Sequence, residues 1–269
     1  MAKIERELIQ PAPGEPNTMH MKYWKKSIVI AAAFVVLSSC VATNPAGTAS
    51  NPAQPVSAVA ASAIQHEELS SVYAGLDREN GRVFTLDPQT STVRIYVFRG
   101  GTAARLGHNH VLAAPQFAGM AYVAKSGAAN TRFDLEFRLD QLEIDNPAYR
   151  ATLGKAFASV LSPEAIAGTR EHMLGDANMQ ADKYPTVAIH SRQITGEFPR
   201  YAARIGVDMH GQSHEMWVPL QVEGLSDSLT VSGSFILRQT DFGIKPFSVM
   251  GGMMSVQDEV VVEFKLHGQ

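Results

Sequence analysis

Apolar and polar side chains alternate in several segments of the chain from residue 82 onward. The clearest segments are residues 133–139, 216–222, 231–237 and 260–266, in which every second side chain is apolar or small. Because successive side chains of a strand point to opposite faces, this period predicts antiparallel β-strands, each with one buried face.

Further strands are predicted in residues 93–97 and, from weaker patterns, in 117–124 and 186–194. The total is about eight strands, and the chain must cover their apolar faces with its own residues. Two architectures achieve this: a sandwich of two sheets, or one sheet closed into a barrel. The pattern therefore predicts an all-β fold and leaves these two architectures open.

A short helical insertion is predicted between two groups of strands, in residues 147–175. Tyr149, Leu153 and Phe157 share one helical face in this segment. Ser162 precedes a proline and has a side chain suited to a helix N-cap, while Gly175 suits the end of a second helix. The insertion interrupts the strand pattern and does not suggest a second domain.

Residues 22–40 have the layout of a secretory signal. Three lysines precede the apolar run 28–37, and two serines and Cys40 follow it. A positive start, a short apolar core and small residues at the cut are typical of a cleaved signal peptide. The apolar run has about half the length that a membrane-spanning helix needs, so we expect it to target the chain and not to anchor it.

The residues in front of the signal bear on the start of translation. Residues 1–18 are largely polar and form an unusual extension in front of it. Met19 or Met21 would be a more natural start than Met1, and we expect translation to begin at one of them.

Residues 37–40, Leu-Ser-Ser-Cys, resemble the lipobox of bacterial lipoproteins. The resemblance implies that the chain is cut before Cys40 and that this sole cysteine is lipidated, since two or more acyl chains hold a protein stably on a membrane. Val41 stands where an aspartate would suggest retention in the inner membrane, which favours the outer membrane, with the protein facing the periplasm. The alternative is an ordinary secretory signal with an incidental cysteine.

Residues 41–62 are small, uncharged and dotted with proline, and such a segment cannot bury enough surface to order itself. We interpret them as a tether between the lipid and the domain. The predicted organisation has three parts: an N-terminal extension and signal peptide in 1–40, a tether in 41–80, and one domain in 81–269.

A short helix is predicted within residues 63–80, and we expect it to contribute little. Its evidence is a set of four apolar side chains on one helical face. These are Leu69, Val72, Tyr73 and Leu76.

The composition excludes several classes of function. The formal net charge of −3 argues against nucleic acid as a partner, because phosphate binding needs a strongly basic surface. With its sole cysteine assigned to lipid, the domain must depend on burial instead of a disulfide, and it is long enough to do so. The sequence contains no Gly-x-Ser-x-Gly elbow and no phosphate-binding loop, so we expect no enzyme.

The histidines are the best candidates for chemistry. His108 and His110 would point to the same side of an extended segment, at a spacing that can share one metal ion. His214 is in phase with Met216 and Val218 and should face inward near a strand end. One interpretation is a zinc or copper site on His108, His110 and His214. The other is that these histidines lie in turns or are hydrogen-bonded in the core, and we predict no cofactor.

Residues 237–248, Leu-Arg-Gln-Thr-Asp-Phe-Gly-Ile-Lys-Pro-Phe-Ser, closely resemble the YceI-like family of bacterial envelope proteins. Other segments extend the resemblance over about residues 82–266. They are 84–87 (FTLD), 168–169 (GT), 182–186 (DKYPT), 210–211 (HG) and 251–252 (GG). The segment 105–111 departs from the family, because a double histidine replaces its usual basic, serine- or valine-rich stretch.

The resemblance implies a lipocalin-like antiparallel β-barrel that binds a polyisoprenoid or a similar amphiphilic lipid. A barrel of about eight strands can enclose one such ligand. The residues expected to line the barrel or cover its mouth are Phe133, Phe137, Val231, Phe235, Leu237, Phe242, Phe247, Val260, Val262 and Phe264. Two alternatives remain: a metal-binding envelope protein that uses His108 and His110, and a structural barrel that docks another envelope protein.

Overall fold

The structure is a computed structural model and describes residues 67–225 and 227–269. The predictions for Cys40, for the signal and tether, and for the start of translation at Met1, Met19 or Met21 lie outside the described residues.

Strands dominate the described residues. The twelve strands are β1 Gly81–Thr85, β2 Thr92–Gly100, β3 His110–Ala113, β4 Ala118–Ala124, β5 Arg132–Arg138, β6 Glu143–Ile144, β7 Thr186–Glu197, β8 Arg200–Met209, β9 Gln212–Glu223, β10 Leu229–Arg238, β11 Ser248–Val249 and β12 Met254–Gly268. The helices are α1 over residues 67–74, α2 Pro147–Thr152 and α3 Pro163–Leu174. None of these helices is both long and apolar enough to cross a bilayer.

The sheet is antiparallel and closes on itself. Its strands pair in the order β1-β4-β5-β7-β8-β9-β10-β12-β2-β3-β6, and β11 pairs with β12. Leu86, just after β1, forms a bridge with Gly268 at the end of β12. Thr85 and Gln269 exchange backbone hydrogen bonds of 2.9 and 3.1 Å at the same place. The circuit from β1 through β12 is therefore a barrel, as the family resemblance predicted.

Three of the barrel strands are broken in the middle. β2 and the residues that follow β1 pair with successive stretches of the same strand, β12. In the same way, β3 pairs with β2, and β4 pairs with β1. β5 and β6 continue the series beside β4 and β3. Counted this way, three broken strands and five continuous ones make eight. The predicted number of strands is confirmed, and each alternating segment coincides with a strand to within one residue.

The β8–β9 hairpin shows how the sequence sets the local turn. Only His210 and Gly211 connect the two strands, and both have positive φ, 53° and 73°. Two positive φ values are typical of the tight hairpin turn that matches the twist of the strands. A Cβ at Gly211 would lie 2.8 Å from the ring of Tyr184, so only glycine fits there.

The helical insertion lies between β6 and β7, as predicted. The Ser162 side chain accepts a hydrogen bond of 3.2 Å from the amide of Ala165 and caps α3, and Gly175 follows the last turn. Tyr149, Leu153 and Phe157 pack together against Tyr96 and Val111. They do not share one helix, because α2 ends at Thr152 and Phe157 belongs to a separate 3-10 turn.

The expectation that the first helix contributes little is wrong. Tyr73 of α1 is fully buried against Met120 and Tyr122 of the barrel wall, and Leu69 and Leu76 pack beside it. Val72, predicted for the same face, is instead 55% exposed. The helix therefore packs on the barrel mainly through Tyr73, whose hydroxyl donates a hydrogen bond to a buried side chain of the barrel wall.

Candidate functional site

The barrel encloses a cavity of about 770 Å³. Its walls are the inward-facing apolar side chains of the alternating strands, among them Leu135, Ile205 and Leu220. A cavity of about 150 Å³ holds one benzene ring of six carbons. In proportion, the barrel has room for roughly thirty carbon atoms. A cavity of this size is not the filled interior that would favour the structural alternative.

Nearly all of the predicted lining residues do line this cavity. They are Phe133, Phe137, Val231, Phe235, Leu237, Phe247, Val260, Val262 and Phe264. Further lining residues were missed, although they follow the same alternation in strands that were predicted: Ile95, Val97, Ile189, Val218 and Val222.

Phe242 was predicted to face the cavity mouth and does not line it. The residue ends a 3-10 turn over Gln239–Phe242 and is completely buried. Its carbonyl oxygen accepts a hydrogen bond of 2.8 Å from His210 Nδ1. Ile244 and Phe247, two and five residues later, take the positions at the cavity. The tight turn in front of Gly243 redirects the Phe242 ring into the core.

Polar side chains reach the cavity at its two ends. One end, called here the histidine end, is formed where β2 and β10 finish and β3 begins, and it is lined by His108, His110 and His172. The opposite end, called the arginine end, is formed where β4 finishes and β5 begins, and it is lined by Lys125 and Arg132. The cavity is thus apolar in the middle and polar at both ends.

His110 is held by a buried carboxylate. Its Nδ1 lies 2.6 Å from Asp145 Oδ2, and Asp145 is fully buried. The other carboxylate oxygen accepts hydrogen bonds from the amide of Val111 at 3.0 Å and from Arg150 Nη1 at 2.5 Å. Burial alone raises the pKa of Asp145. The hydrogen bonds and the charge of its partners outweigh burial, so the pKa lies below the ordinary value of 3.8.

Several contacts fix the Asp145–Arg150 pair in place. Arg150 also donates to the carbonyl of Asn109 at 2.8 Å and to Ser159 Oγ at 2.8 Å. Asp145 has a positive φ of 52°, a conformation that is sparsely populated outside glycine. Its amide donates to the carbonyl of Val111 at 2.8 Å. Such a residue persists only where its surroundings determine its position.

His108 lies beside His110 with their ring centroids 4.8 Å apart, edge to face. The prediction that both rings point to one side is confirmed. Burial is the main cause that lowers the pKa of His108 below 6.5, and the neighbouring His110 lowers it further. His108 is therefore neutral at neutral pH.

His214 does not join the other two histidines. Its cross-strand partner Val207 lines the cavity, but His214 itself does not, and the ring of Phe242 packs against it with centroids 5.0 Å apart. Within residues 67–225 and 227–269, no group of three or more His, Cys, Asp or Glu side chains has the geometry of a metal site. The three-histidine site that was one of the two interpretations of the sequence is therefore not formed among these residues.

Comparisons with known proteins agree with this architecture. The model of the YceI-like domain matches residues 84–267, which is more than half of the 269 residues. The chain belongs to the YceI-like family.

Several solved structures are similar to this YceI-like chain. BcnA of Burkholderia cenocepacia is 14% identical, with 68% of this chain and 99% of that chain covered and a TM-score of 0.50. A polyisoprenoid binding domain from Saccharophagus degradans is 12% identical, with 69% and 97% covered and a TM-score of 0.46. The YCEI protein of Campylobacter jejuni is 10% identical, with 57% and 81% covered and a TM-score of 0.42. No curated protein matches the chain. At these identities the first similarity shows the fold.

The histidine end of this YceI-like barrel is also apolar on its outside. Leu106, Met250 and Met253 are exposed there, on two short turns joined by the hydrogen bond of 2.8 Å from the Ala103 amide to the Met253 carbonyl. Phe247 connects this exposed surface with the cavity, because it lines the cavity and is 40% exposed.

Proposed function

We propose that this chain is a lipid-anchored protein of the bacterial cell envelope that binds a polyisoprenoid, or a similar long amphiphilic lipid, inside its barrel. The observation that carries the proposal is the apolar cavity of about 770 Å³. Membership of the YceI-like family supports the same conclusion.

The energetics favour a long ligand over a short one. Each buried CH₂ group contributes about 0.8 kcal/mol, while association costs an estimated 4–15 kcal/mol. A ligand of about ten carbons therefore gains roughly 8 kcal/mol, which only offsets that cost. A ligand that fills the cavity gains about three times as much, because the cavity holds roughly thirty carbons.

The two polar ends favour an amphiphilic ligand. A pure hydrocarbon would leave His108 and Nε2 of His110 at the histidine end without a polar partner from the ligand. Buried polar groups are costly when they lack hydrogen bonds. A ligand with one polar group and a long apolar chain satisfies both the middle and one end of the cavity.

The anchor rests on the sequence around Cys40, which resembles a lipobox. A lipid on Cys40 would hold the barrel beside the membrane that supplies or receives its ligand. The exposed apolar side chains at the histidine end, including Leu106 and Met250, suit exchange of a lipid with such a surface. The residue after the cysteine, Val41, favours the outer membrane.

A chain-length series tests the proposal. The purified full-length protein, stripped of copurified lipid, is titrated with geraniol, farnesol and geranylgeraniol, which differ by one isoprene unit each. Affinity is expected to rise at least about tenfold per added unit, because each unit buries several further carbons. Equal affinities along the series, or binding of none of the three, would overturn the proposal.

A further inference from the structure

The histidine end contains a buried ion pair, which an apolar cavity alone does not require and whose desolvation is unfavourable. Asp145 and Arg150 are both buried, with exposed fractions of 0% and 6%. Removing two charges from water carries a penalty of several kcal/mol per ion that their attraction only partly repays. The pair nevertheless places one carboxylate oxygen on His110 at 2.6 Å.

This contact selects one tautomer of His110. The Asp145 carboxylate is ionised and can only accept, so Nδ1 of His110 carries the proton and donates it. Arg150 supplies the balancing positive charge at 2.5 Å from the other oxygen. In the neutral ring, Nε2 is then a hydrogen-bond acceptor. Among the described residues it has no hydrogen-bond partner, and the ring lines the cavity.

His108 supplies the complementary group. Its ring lines the same end of the cavity, 4.8 Å from the His110 ring between centroids. A neutral imidazole carries one N–H donor and one acceptor nitrogen. Within the part of the chain that the structure describes, His108 makes no hydrogen bond. The pair therefore presents an acceptor and a donor side by side at the end of an apolar cavity.

A hydroxyl group matches this pair better than other polar groups of lipids. It donates one hydrogen bond and accepts others, so it can donate to His110 Nε2 and accept from His108. An ether or ester oxygen only accepts and leaves Nε2 without a donor. A carboxylate also only accepts, and it would require a proton on Nε2.

We infer that His108 and His110, with His110 positioned by Asp145 and Arg150, bind the hydroxyl group of a long-chain alcohol whose chain fills the cavity. The inference rests on the proposed function and specifies the chemical class of the ligand's polar end. It assigns a role to the double histidine in residues 105–111, the segment in which this chain departs from the usual family pattern.

Two probes with the same chain test the inference. Geranylgeraniol carries the hydroxyl, and geranylgeranyl methyl ether has the same chain without the O–H donor. Their affinities for the delipidated full-length protein are measured by displacement of a fluorescent apolar probe. The alcohol is expected to bind about tenfold more tightly, which is the worth of one hydrogen bond in a buried site. Equal affinities would overturn the inference while leaving the proposed function intact, whereas binding of neither would overturn both.

Substitutions test whether the preference for the alcohol over the ether depends on the histidines. His110→Leu should reduce the preference for the alcohol to about onefold while binding of the ether persists. His214→Leu is the matched control, because His214 is a histidine that does not line the cavity, and it should keep the preference. An unchanged preference in His110→Leu would contradict the inference.

A second variant and an NMR spectrum keep the inference testable if His110→Leu fails to fold. His108→Leu leaves the Asp145–Arg150 pair untouched and should also lower the preference. In the unaltered protein, the ¹⁵N resonance of His110 Nε2 should shift on addition of the alcohol and remain in place on addition of the ether. A spectrum that is the same with both probes would count against the contact.

Discussion

Tyr73 donates a hydrogen bond of 2.5 Å to Asp134 Oδ2, across 61 residues of sequence. The contact joins the helix in front of the barrel to strand β5 of the barrel wall. Asp134 also accepts from His190 Nδ1 at 2.6 Å and from Arg132 at 3.1 Å. One buried carboxylate therefore accepts hydrogen bonds from side chains in three different parts of the chain.

Removal of the Tyr73 hydroxyl should destabilise the barrel. Tyr73→Phe keeps the buried ring but removes one donor to Asp134, and the loss of a hydrogen bond to a charged group is expected to cost about 1.5–3 kcal/mol. The measurement is the free energy of unfolding in urea. Val72→Ala on the same helix is the control, since Val72 is exposed and its truncation should stay within about 0.5 kcal/mol. Equal values for the two variants would show that the contact does not hold the helix.

The Asp134–His190 contact predicts a dependence of stability on pH. The hydrogen bond to Asp134 raises the pKa of His190 above 6.5, despite burial. The folded state thus binds this proton more tightly than the unfolded state, so the stabilisation is complete below about pH 6.5 and is lost as the pH rises through the folded pKa. The pKa of Asp134 is lowered to about 2, because its hydrogen bonds outweigh burial. Its contribution is present above 3.8 and is lost as the pH falls towards 2.

His190→Gln is the variant that isolates this effect. The difference in free energy of unfolding between the unaltered protein and this variant should be largest near pH 6 and should shrink towards about pH 8.5. Asp134→Asn, which removes the partner instead of the histidine, should reduce the same pH-dependent component. A difference that grows with pH would contradict the assignment.

A side chain that fills the cavity should abolish ligand binding without unfolding the barrel. Val231→Trp places a large apolar group in the cavity, and the bound lipid or the affinity for geranylgeraniol should fall at least about tenfold. Ile236→Trp is the matched control on the same strand, because Ile236 is exposed on the outer face. If both variants bind as the unaltered protein does, the ligand does not occupy this cavity.

The tight β8–β9 turn offers a test of the fold itself. Gly211→Ala introduces a Cβ at positive φ and 2.8 Å from the Tyr184 ring, so it should destabilise the protein by about 2–4 kcal/mol. Gly251→Ala has a similar φ of 64° but no atom within 4 Å, and it should cost only about 1 kcal/mol. Thermal unfolding measures both. The two costs would be equal if the Tyr184 ring moved aside freely.

The membrane anchor is tested at Cys40. The intact peptide that begins at Cys40 should carry acyl groups in the mass spectrum, and the protein should partition with membranes. Cys40→Ser should abolish both, since one residue supplies the attachment. An unmodified cysteine in a secreted protein would instead support an ordinary signal peptide.

Much of the barrel could be predicted from alternation, because a strand with one buried face has apolar side chains at every second position. The breaks between β1 and β2 and between β3 and β4 could not, since β1 and β3 are short and no alternating segment was predicted for either of them. Likewise, the family resemblance identified the fold before any pairing was visible, but it did not show that Phe242 turns away from the cavity. That outcome depends on the 3-10 turn in front of Gly243.

The site could be predicted only in part. The spacing of His108 and His110 shows that the rings share a side, but Asp145 lies 35 residues from His110 in sequence and gives no signal of its own. Its positive φ and its pairing with Arg150 follow from tertiary packing. In the same way, the helical face around Tyr73 was visible, while its partner Asp134 was hidden among the polar residues of an alternating strand.

The most direct test of the central claim is native mass spectrometry of the full-length protein, purified from the cell envelope without unfolding. The account predicts a mass increment for one bound lipid, and extraction with organic solvent should release a polyisoprenoid or a similar long-chain amphiphile. The increment should be absent in Val231→Trp and present in Ile236→Trp. A protein that is consistently empty, or one whose bound lipid survives the filling of the cavity, would contradict the account.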